Sequence, residues 1–534
     1  MPPLQRKYLL GLAGLTGILF TLSFPPFPTG VLAVAAFIPL LLMTESVSSF
    51  GRFFRYAYFM FFLVSAGTLY WVGGFTHLRD PYLMIAGGAL LLWQPFFLTL
   101  LASVYYGIRK RVPLGIALTA FPFVWVTGEW LYALGEFAFP WLTIGNTQTY
   151  ALEKIQFIEW TGVYGLSLWL LVMNVLLFYL FYSVPATAVR KKMLFAGLVM
   201  TFYIAPNVYT AVAPYTPSRQ DGIGVGIVQP NIDPWDKWEG ANTFSGRWQQ
   251  TNAFLDVIRR EMNDSLDIAV LPESAILLNL PAFPQHRSEF LQRVESLGVS
   301  VLSGYARFEY YEEGKAPVSS NTVKATGQRW DSFNSIFFAQ PGRTEFQSYS
   351  KMRLVPFAER IPYAEDVPFL IEPLRWGVGI SNWGMGKDST VFRHESSGHR
   401  FLAMVCYESI FPEFVASFVA GGAEFLVFIT NDSWWGNTSG ARQHQQYAVL
   451  RAVENRRWVA RCANGGISSF IDPSGTVYDV TAMYEPAYIQ RTIYPQSYNT
   501  VYSLHGDWIA RISASMTLLF ACFSMGYPLI SKKK

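Results

Sequence analysis

Residues 1–213 hold one apolar run after another, several about 20 residues long, and this settles the surroundings of that half before anything else. A helix needs about 20 consecutive apolar residues to cross the hydrocarbon of a bilayer. Only a helix or a closed barrel can satisfy its backbone groups there. The runs lie near residues 8–24, 30–45, 54–74, 82–107, 113–135, 160–184 and 193–212, with one more near 508–530. About eight spans are expected. The second is the weakest, since Pro39 interrupts it and Glu45 follows. The first run is read as an uncleaved helix, because further spans follow and no small-residue cleavage site precedes Pro25-Pro26.

Basic residues collect at Arg6-Lys7, Arg52/Arg55, Arg109-Lys110-Arg111, Arg190-Lys191-Lys192 and Lys532-Lys533-Lys534. With this span count they share one side, and the opposite short loops carry only Arg79 and Lys154. Basic loops stay cytoplasmic, so both termini are expected in the cytoplasm and the long segment 214–507 outside it. Glu129, inside the fifth run, and Glu159, opening the sixth, face either a cavity or partner, or the headgroups at a helix end. The aromatic loop 136–148 is expected in the outer interface.

From residue 221 the pattern changes. Apolar β-like runs at 222–230, 266–273, 299–308, 332–341, 400–408 and 424–432 alternate with helical runs at 244–263, 287–297, 411–420 and 441–455, and 458–477 reads as a terminal hairpin. Such alternation predicts an α/β sheet covered by helices. The domain order is thus 1–213 in the membrane, 214–507 outside it, and 508–534 as a last helix with a basic tail. The mean hydropathy of +0.23 averages these unlike parts. Three cysteines exclude a disulfide scaffold, and a net charge of +4 gives no argument for nucleic acid.

Three polar residues fall where strands end: Glu273 after DIAVLP, Lys351 in YSKMRLVPF and Cys406 after FLAMV. A thiolate nucleophile needs a base, and an ammonium can stabilise a developing oxyanion. Each alone reads more simply as a core or surface residue. Together they suggest nucleophilic catalysis. The six histidines show no metal-ligand spacing, so no metal is expected, and His444 reads as structural. Cys462 reads as buried.

LPESAI (271–276), SKMRLVPFAERIP (350–362), CYESIFPEF (406–414) and ITNDSWWG (429–436) resemble the nitrilase superfamily, whose members use a Glu-Lys-Cys triad. With EWLYALGEFAFPWLTIGNTQ (129–148), GVYGLSLWLLVMN (162–174) and VQPNIDPWDKW (228–238), the chain resembles the apolipoprotein N-acyltransferase family along nearly its whole length. The resemblance implies a multi-pass membrane domain joined to a nitrilase-like αββα sandwich. It makes Cys406 the nucleophile, Glu273 the general base and Lys351 the oxyanion stabiliser. Glu359, Tyr407 and Glu408 match supporting positions. Trp238 matches a tryptophan in a mobile arm, and Trp434 falls among the substrate-side aromatics. Pro230 and Trp435 depart from the common pattern without touching the triad.

The reaction implied is acyl transfer from a phospholipid, typically phosphatidylethanolamine, to the N-terminal amine of a diacylglyceryl-apolipoprotein. It needs no cofactor and places the catalytic segment on the periplasmic side of a bacterial inner membrane. Segment 363–386 carries Trp376 and Trp383 among Gly377, Gly379, Gly384 and Gly386. It is either a packed loop or a lid that admits lipid. Two rivals stay open: a membrane-tethered amidase or nitrilase acting on a small C–N substrate, and a transporter or receptor whose extramembrane domain only binds.

Overall fold

Prolines and strand-forming runs set the element boundaries in both halves of the chain. The computed structural model describes residues 4–74, 81–185, 187–216, 218, 221–234, 243–371 and 382–531. Contacts divide the chain into two units. One is Met1–Leu134, Phe139–Tyr215 and His505–Lys534; the other is Gly135–Ala138 and Thr216–Leu504.

In the first unit, six helices among the described residues are long and apolar enough to cross a membrane: Phe50–Gly73, Leu83–Arg109, Leu114–Leu131, Ile158–Ser183, Val189–Val212 and Trp508–Leu529. The first apolar run forms helix Arg6–Ser23. The run at 30–45 is split into a 3-10 turn, Gly30–Val34, and a short helix, Ile38–Ser46. Pro39 explains the split. It has no N–H and would clash with the carbonyl four residues back, so it sits in the first turn of a new helix. Asn174 satisfies backbone groups beside the break: its Nδ2 donates to Ala33 O and its Oδ1 accepts from Phe37 N–H, both at 2.8 Å. Glu45 at the far end receives Arg109 Nε at 2.6 Å and Nη2 at 2.7 Å. Glu129 is buried and accepts from Ile144 N–H at 2.9 Å. Glu159 accepts from the Tyr209 hydroxyl.

The second unit is built on two sheets. Its strands are β1 (Ile223–Gln229), β2 (Ile268–Val270), β3 (Ser300–Tyr310), β4 (Asn321–Thr322), β5 (Arg329–Ala339), β6 (Gln347–Ser350), β7 (Phe392–Arg393), β8 (Arg400–Val405), β9 (Phe425–Thr430), β10 (Val459–Ala463), β11 (Ser469–Ile471), β12 (Val477–Tyr478) and β13 (Ala487–Ile493). One sheet runs β13-β1-β2-β3-β5-β4 with β6 on β5; the other runs β12-β11-β10-β9-β8-β7. Strands β1 and β9 are buried along their whole length, which is why they read as unbroken apolar runs. Cys462, in β10, joins the two sheets: its Sγ lies 3.5 Å from both Val228 O and Val270 O.

Helices Phe244–Glu261 and Pro284–Leu297 cover the first sheet through Phe254, Leu255, Ile258, Phe290 and Val294. Helix Ser439–Asn455, capped by Thr438, packs on β10 and β11. The result is the helix–sheet–sheet–helix sandwich expected. The expected hairpin at 458–477 forms with β10 antiparallel to β11. The chain then adds β13, which returns to pair antiparallel with β1.

Candidate active site

Each of the three polar residues singled out sits just beyond a strand, where a rigid sheet hands over to irregular backbone. Glu273 follows β2. Gly304 in β3 lies so close that a Cβ there would meet Ser274 N at 2.5 Å and Glu273 Cα at 2.8 Å. Lys351 follows β6, with its N–H donating to Asn334 O at 2.8 Å. Cys406 follows β8 and opens the 3-10 turn Cys406–Ile410 at φ +53°. That φ is rare for a residue with a side chain and persists only where its surroundings hold it.

The structure brings the three together. Lys351 Nζ is 2.8 Å from Glu359 Oε1 and 3.8 Å from Glu273 Oε1. Lys351 is 1% exposed and Cys406 8%. Burial pushes the Cys406 thiol well above the ordinary range; the Glu273 carboxylate adds to this and Lys351 opposes it. The resting thiol is protonated. Burial also works against the Lys351 charge, but Glu359 and then Glu273 outweigh it, so the ammonium is held charged.

Asn334 is a site residue that the sequence reading missed. Its Nδ2 donates to Glu273 Oε1 at 2.7 Å and lies 3.3 Å from Glu359 Oε1. Nothing in SFNSIFFAQP marks it beyond a polar residue inside an apolar strand. Glu359 Oε2 also accepts from Val355 N–H at 2.8 Å. Glu408 is fully buried and ties the segment around Lys351 to the end of β8 before Cys406. Its Oε1 accepts from Tyr349 Oη, Met352 N and Arg353 N at 2.5, 2.7 and 3.1 Å, and its Oε2 from Val405 N at 3.0 Å. Tyr407 donates its hydroxyl to Ala138 O at 2.7 Å. This bond explains why Gly135–Ala138 belongs with the catalytic unit.

Behind Cys406 lies a second buried network of Asp432, His444 and Arg461. Arg461 Nη2 is 2.7 Å from Asp432 Oδ2, and His444 Nδ1 is 2.8 Å from Asp432 Oδ1. Cys406, Asp432 and His444 turn donor atoms to within 4.8 Å of one another. Arg461 and Lys351 already bring positive charge to Asp432 and Cys406, so the set does not suit a dication.

Trp238 and Trp376 lie outside the described residues, as do Arg79, Gly377, Gly379 and the lysine tail 532–534. Trp434 is half-buried in the turn Asp432–Trp435. Trp383 is 5% exposed; its N–H donates to Glu359 O at 2.9 Å and its carbonyl accepts from Arg360 at 3.2 Å. Gly386 N–H donates to Lys351 O at 2.8 Å, and a Cβ there would fall 1.9 Å from Ser350 O. Trp383 and Gly386 are thus packed into the floor that carries Glu359 and Lys351, as the packed-loop alternative has it for this end of the segment; residues 372–381 lie outside the described residues. A cavity of about 120 Å³ opens beside Tyr407, lined among others by Glu136, Ala138, Arg353, Arg360 and Phe411. The Arg353 guanidinium lies 5.6 Å from the Phe411 ring centre and 5.5 Å from that of Phe414.

Two stacked sheets between helices, with a thiol, an ammonium and carboxylates gathered at their strand ends, make a carbon-nitrogen hydrolase fold, here on a membrane protein. Residues 224–499 match the carbon-nitrogen hydrolase family, and residues 16–176 match the apolipoprotein N-acyltransferase N-terminal domain. The chain is 34% identical to the apolipoprotein N-acyltransferase of Chlorobaculum tepidum over 95% of both chains. It is 30% identical to that of Geobacter metallireducens, over 95% of this chain and 93% of the relative. It belongs to the apolipoprotein N-acyltransferase family, and it is an acyltransferase. Among solved structures it is similar to an amidase from Nesterenkonia sp., at 16% identity and a TM-score of 0.37, covering 55% of this chain and 100% of that one.

Proposed function

We propose that this enzyme moves an acyl chain from the sn-1 ester of a phospholipid, typically phosphatidylethanolamine, to the N-terminal α-amine of an S-diacylglyceryl-cysteine lipoprotein. The observation that carries this reading is the buried Cys406 thiol beside Glu273 and Lys351, on a chain whose curated relatives are named apolipoprotein N-acyltransferases.

Glu273 takes the Cys406 proton as sulfur attacks the ester carbonyl. Lys351 and a backbone N–H near Tyr407 hold the tetrahedral oxyanion. The C–O bond breaks, the lysophospholipid oxygen takes the proton from Glu273, and an acyl-thioester remains. The lipoprotein amine then attacks the thioester and gives a proton to Glu273. The C–S bond breaks, and that proton returns to sulfur. This is a ping-pong cycle. Sparse water in a buried site favours the amine over hydrolysis. The cavity beside Tyr407 suits the donor's phosphate, with Arg353 as the counter-charge; Arg360 on its wall is already paired with Glu365 at 2.7 Å.

We place the catalytic unit on the periplasmic face of an inner membrane, with both termini cytoplasmic. Charge supports this, since Arg6, Arg52, Arg109 and Lys191 stand at helix ends that alternation puts on one side. The Glu45–Arg109 pair supports the return of segment 30–46 to that side.

The test is intact mass of the purified protein after exposure to phosphatidylethanolamine vesicles. One added acyl chain, lost in Cys406→Ala and discharged by a diacylglyceryl-cysteine peptide, is the expected result. Release of ammonia from small amides without an acylated protein would favour the amidase rival. Full biological activity of Cys406→Ala would favour a binding-only protein.

A further inference from the structure

The nucleophile is gripped by a polar network that the mechanism above does not use. Cys406 holds φ +53°, and its carbonyl oxygen is the point at which two side chains converge. Ser409 Oγ donates to it at 2.8 Å, and His444 Nε2 lies 3.2 Å away. Ser409 Oγ and His444 Nε2 are themselves 3.0 Å apart. On the far side of the ring, Asp432 Oδ1 is 2.8 Å and Arg461 Nη2 is 3.1 Å from Nδ1. Thr430 Oγ1 donates to Asp432 Oδ1 at 3.0 Å. All of these side chains are buried, at 4% exposure or less.

We propose that His444, held by Asp432 and Arg461, is a positioning residue that fixes the Cys406–Tyr407 peptide plane and so aims the Tyr407 N–H at the oxyanion. The proposal deepens the acyl-transfer reading and rests on it. In a trans peptide the C=O and the following N–H point in opposite directions. Pinning the Cys406 carbonyl on the His444 side therefore fixes the Tyr407 N–H on the other. The strained φ makes such a clamp necessary, because an unheld peptide could rotate toward a commoner conformation. Oxyanion donors work by being fixed before charge develops.

The ring chemistry fits. A neutral ring with hydrogen on Nε2 donates to the Cys406 carbonyl while Nδ1 accepts from Arg461, at the cost of facing the Asp432 carboxylate oxygen 2.8 Å away. A charged ring adds a bond from Nδ1–H to Asp432. Both forms donate to the carbonyl. The ring rides on helix Ser439–Asn455. Gly466 lets the neighbouring chain close over Asp432, since a Cβ there would meet Asp432 Oδ2 at 2.5 Å.

The experiment compares two reactions of the same thiol in the full-length protein in detergent. Alkylation by iodoacetamide is a displacement at carbon and forms no oxyanion. Acylation by 4-nitrophenyl butyrate does form one. His444→Leu is expected to slow acylation at least thirtyfold at saturating ester, with KM within threefold and alkylation within threefold of wild type. His444→Gln, which keeps an N–H donor, should recover acylation to within about fivefold. If His444→Leu fails to fold, Ser409→Ala removes the other donor to the same carbonyl and should slow acylation five- to tenfold with alkylation unchanged. Equal acylation in wild type, His444→Leu and Ser409→Ala overturns the proposal. So does a parallel fall in acylation and alkylation, which would place His444 on the thiol or on folding. Because the ester replaces phospholipid, failure of the phospholipid reading would show separately, as wild type that takes butyrate but no lipid acyl chain.

Discussion

Asn334 donates its side-chain amide to Glu273 Oε1 at 2.7 Å, from the middle of β5. The bond fixes which way the proposed base points. Asn334→Leu keeps the bulk and removes the donor. It is expected to slow acyl-thioester formation about 10- to 100-fold, the usual cost of losing an orienting partner. A mass-spectrometric time course with phospholipid measures it. A wild-type rate would mean that Glu273 needs no such support.

Lys351 compensates two buried carboxylates, Glu359 at 2.8 Å and Glu273 at 3.8 Å. Removing one member of a buried charge set leaves the others unpaired, at about 3–5 kcal/mol. Lys351→Ala should therefore lose both stability and the acyl-enzyme. Adding Glu359→Gln relieves the unpaired charge. The double variant should regain much of the thermal stability and none of the acylation. Recovery of the acyl-enzyme in the double variant would show that Lys351 serves the fold alone.

Why some of this was legible in the sequence and some was not follows from distance along the chain. Glu273 and Cys406 each follow an apolar strand, so local pattern locates them; Lys351 follows the polar strand Gln347–Ser350, and it is the family resemblance that singles it out and adds the three roles. The break at Gly30–Ser46 could be expected from Pro39. Asn334 could not be singled out, because only the fold carries its side chain across to Glu273, 61 residues earlier. Nor could the grouping of Gly135–Ala138 with the catalytic unit, which depends on a hydroxyl 269 residues away. Strand β13 was missed because its residues are mostly half-buried, which blurs the apolar signal.

Cys406 and Cys462 are both buried, and burial pushes both thiols above the ordinary 9.0. The unfolded chain releases these protons near that value and the fold retains them. Above pH 9 the native state thus binds more protons, so stability falls as pH rises. Each thiol contributes about 1.4 kcal/mol of loss per pH unit. Cys462 has no part in the proposed chemistry, so Cys462→Ala isolates the effect. Denaturation in detergent between pH 9 and 10.5 should show a shallower decline for Cys462→Ala than for wild type. Identical slopes would mean that Cys462 titrates normally in the fold.

Gly304 offers the sharpest test of how the base is placed. A Cβ there would lie 2.5 Å from Ser274 N and 2.8 Å from Glu273 Cα, both backbone atoms that cannot swing aside. At Gly226 the nearest atoms are instead side-chain ends, Tyr488 Oη at 2.6 Å and Leu266 Cδ1 at 2.8 Å, which can yield. Overpacking costs about 1–3 kcal/mol in either place. Only at Gly304 does the strain fall on the segment bearing Glu273, and a shift of about 1 Å there costs on the order of a hundredfold in rate. Gly304→Ala is therefore expected to acylate about a hundredfold more slowly, and Gly226→Ala within a few-fold of wild type, at comparable melting temperatures. Equal acylation rates for the two variants would mean that the close approach of β3 serves packing and leaves Glu273 to be placed by its side-chain contacts, the Asn334 amide among them.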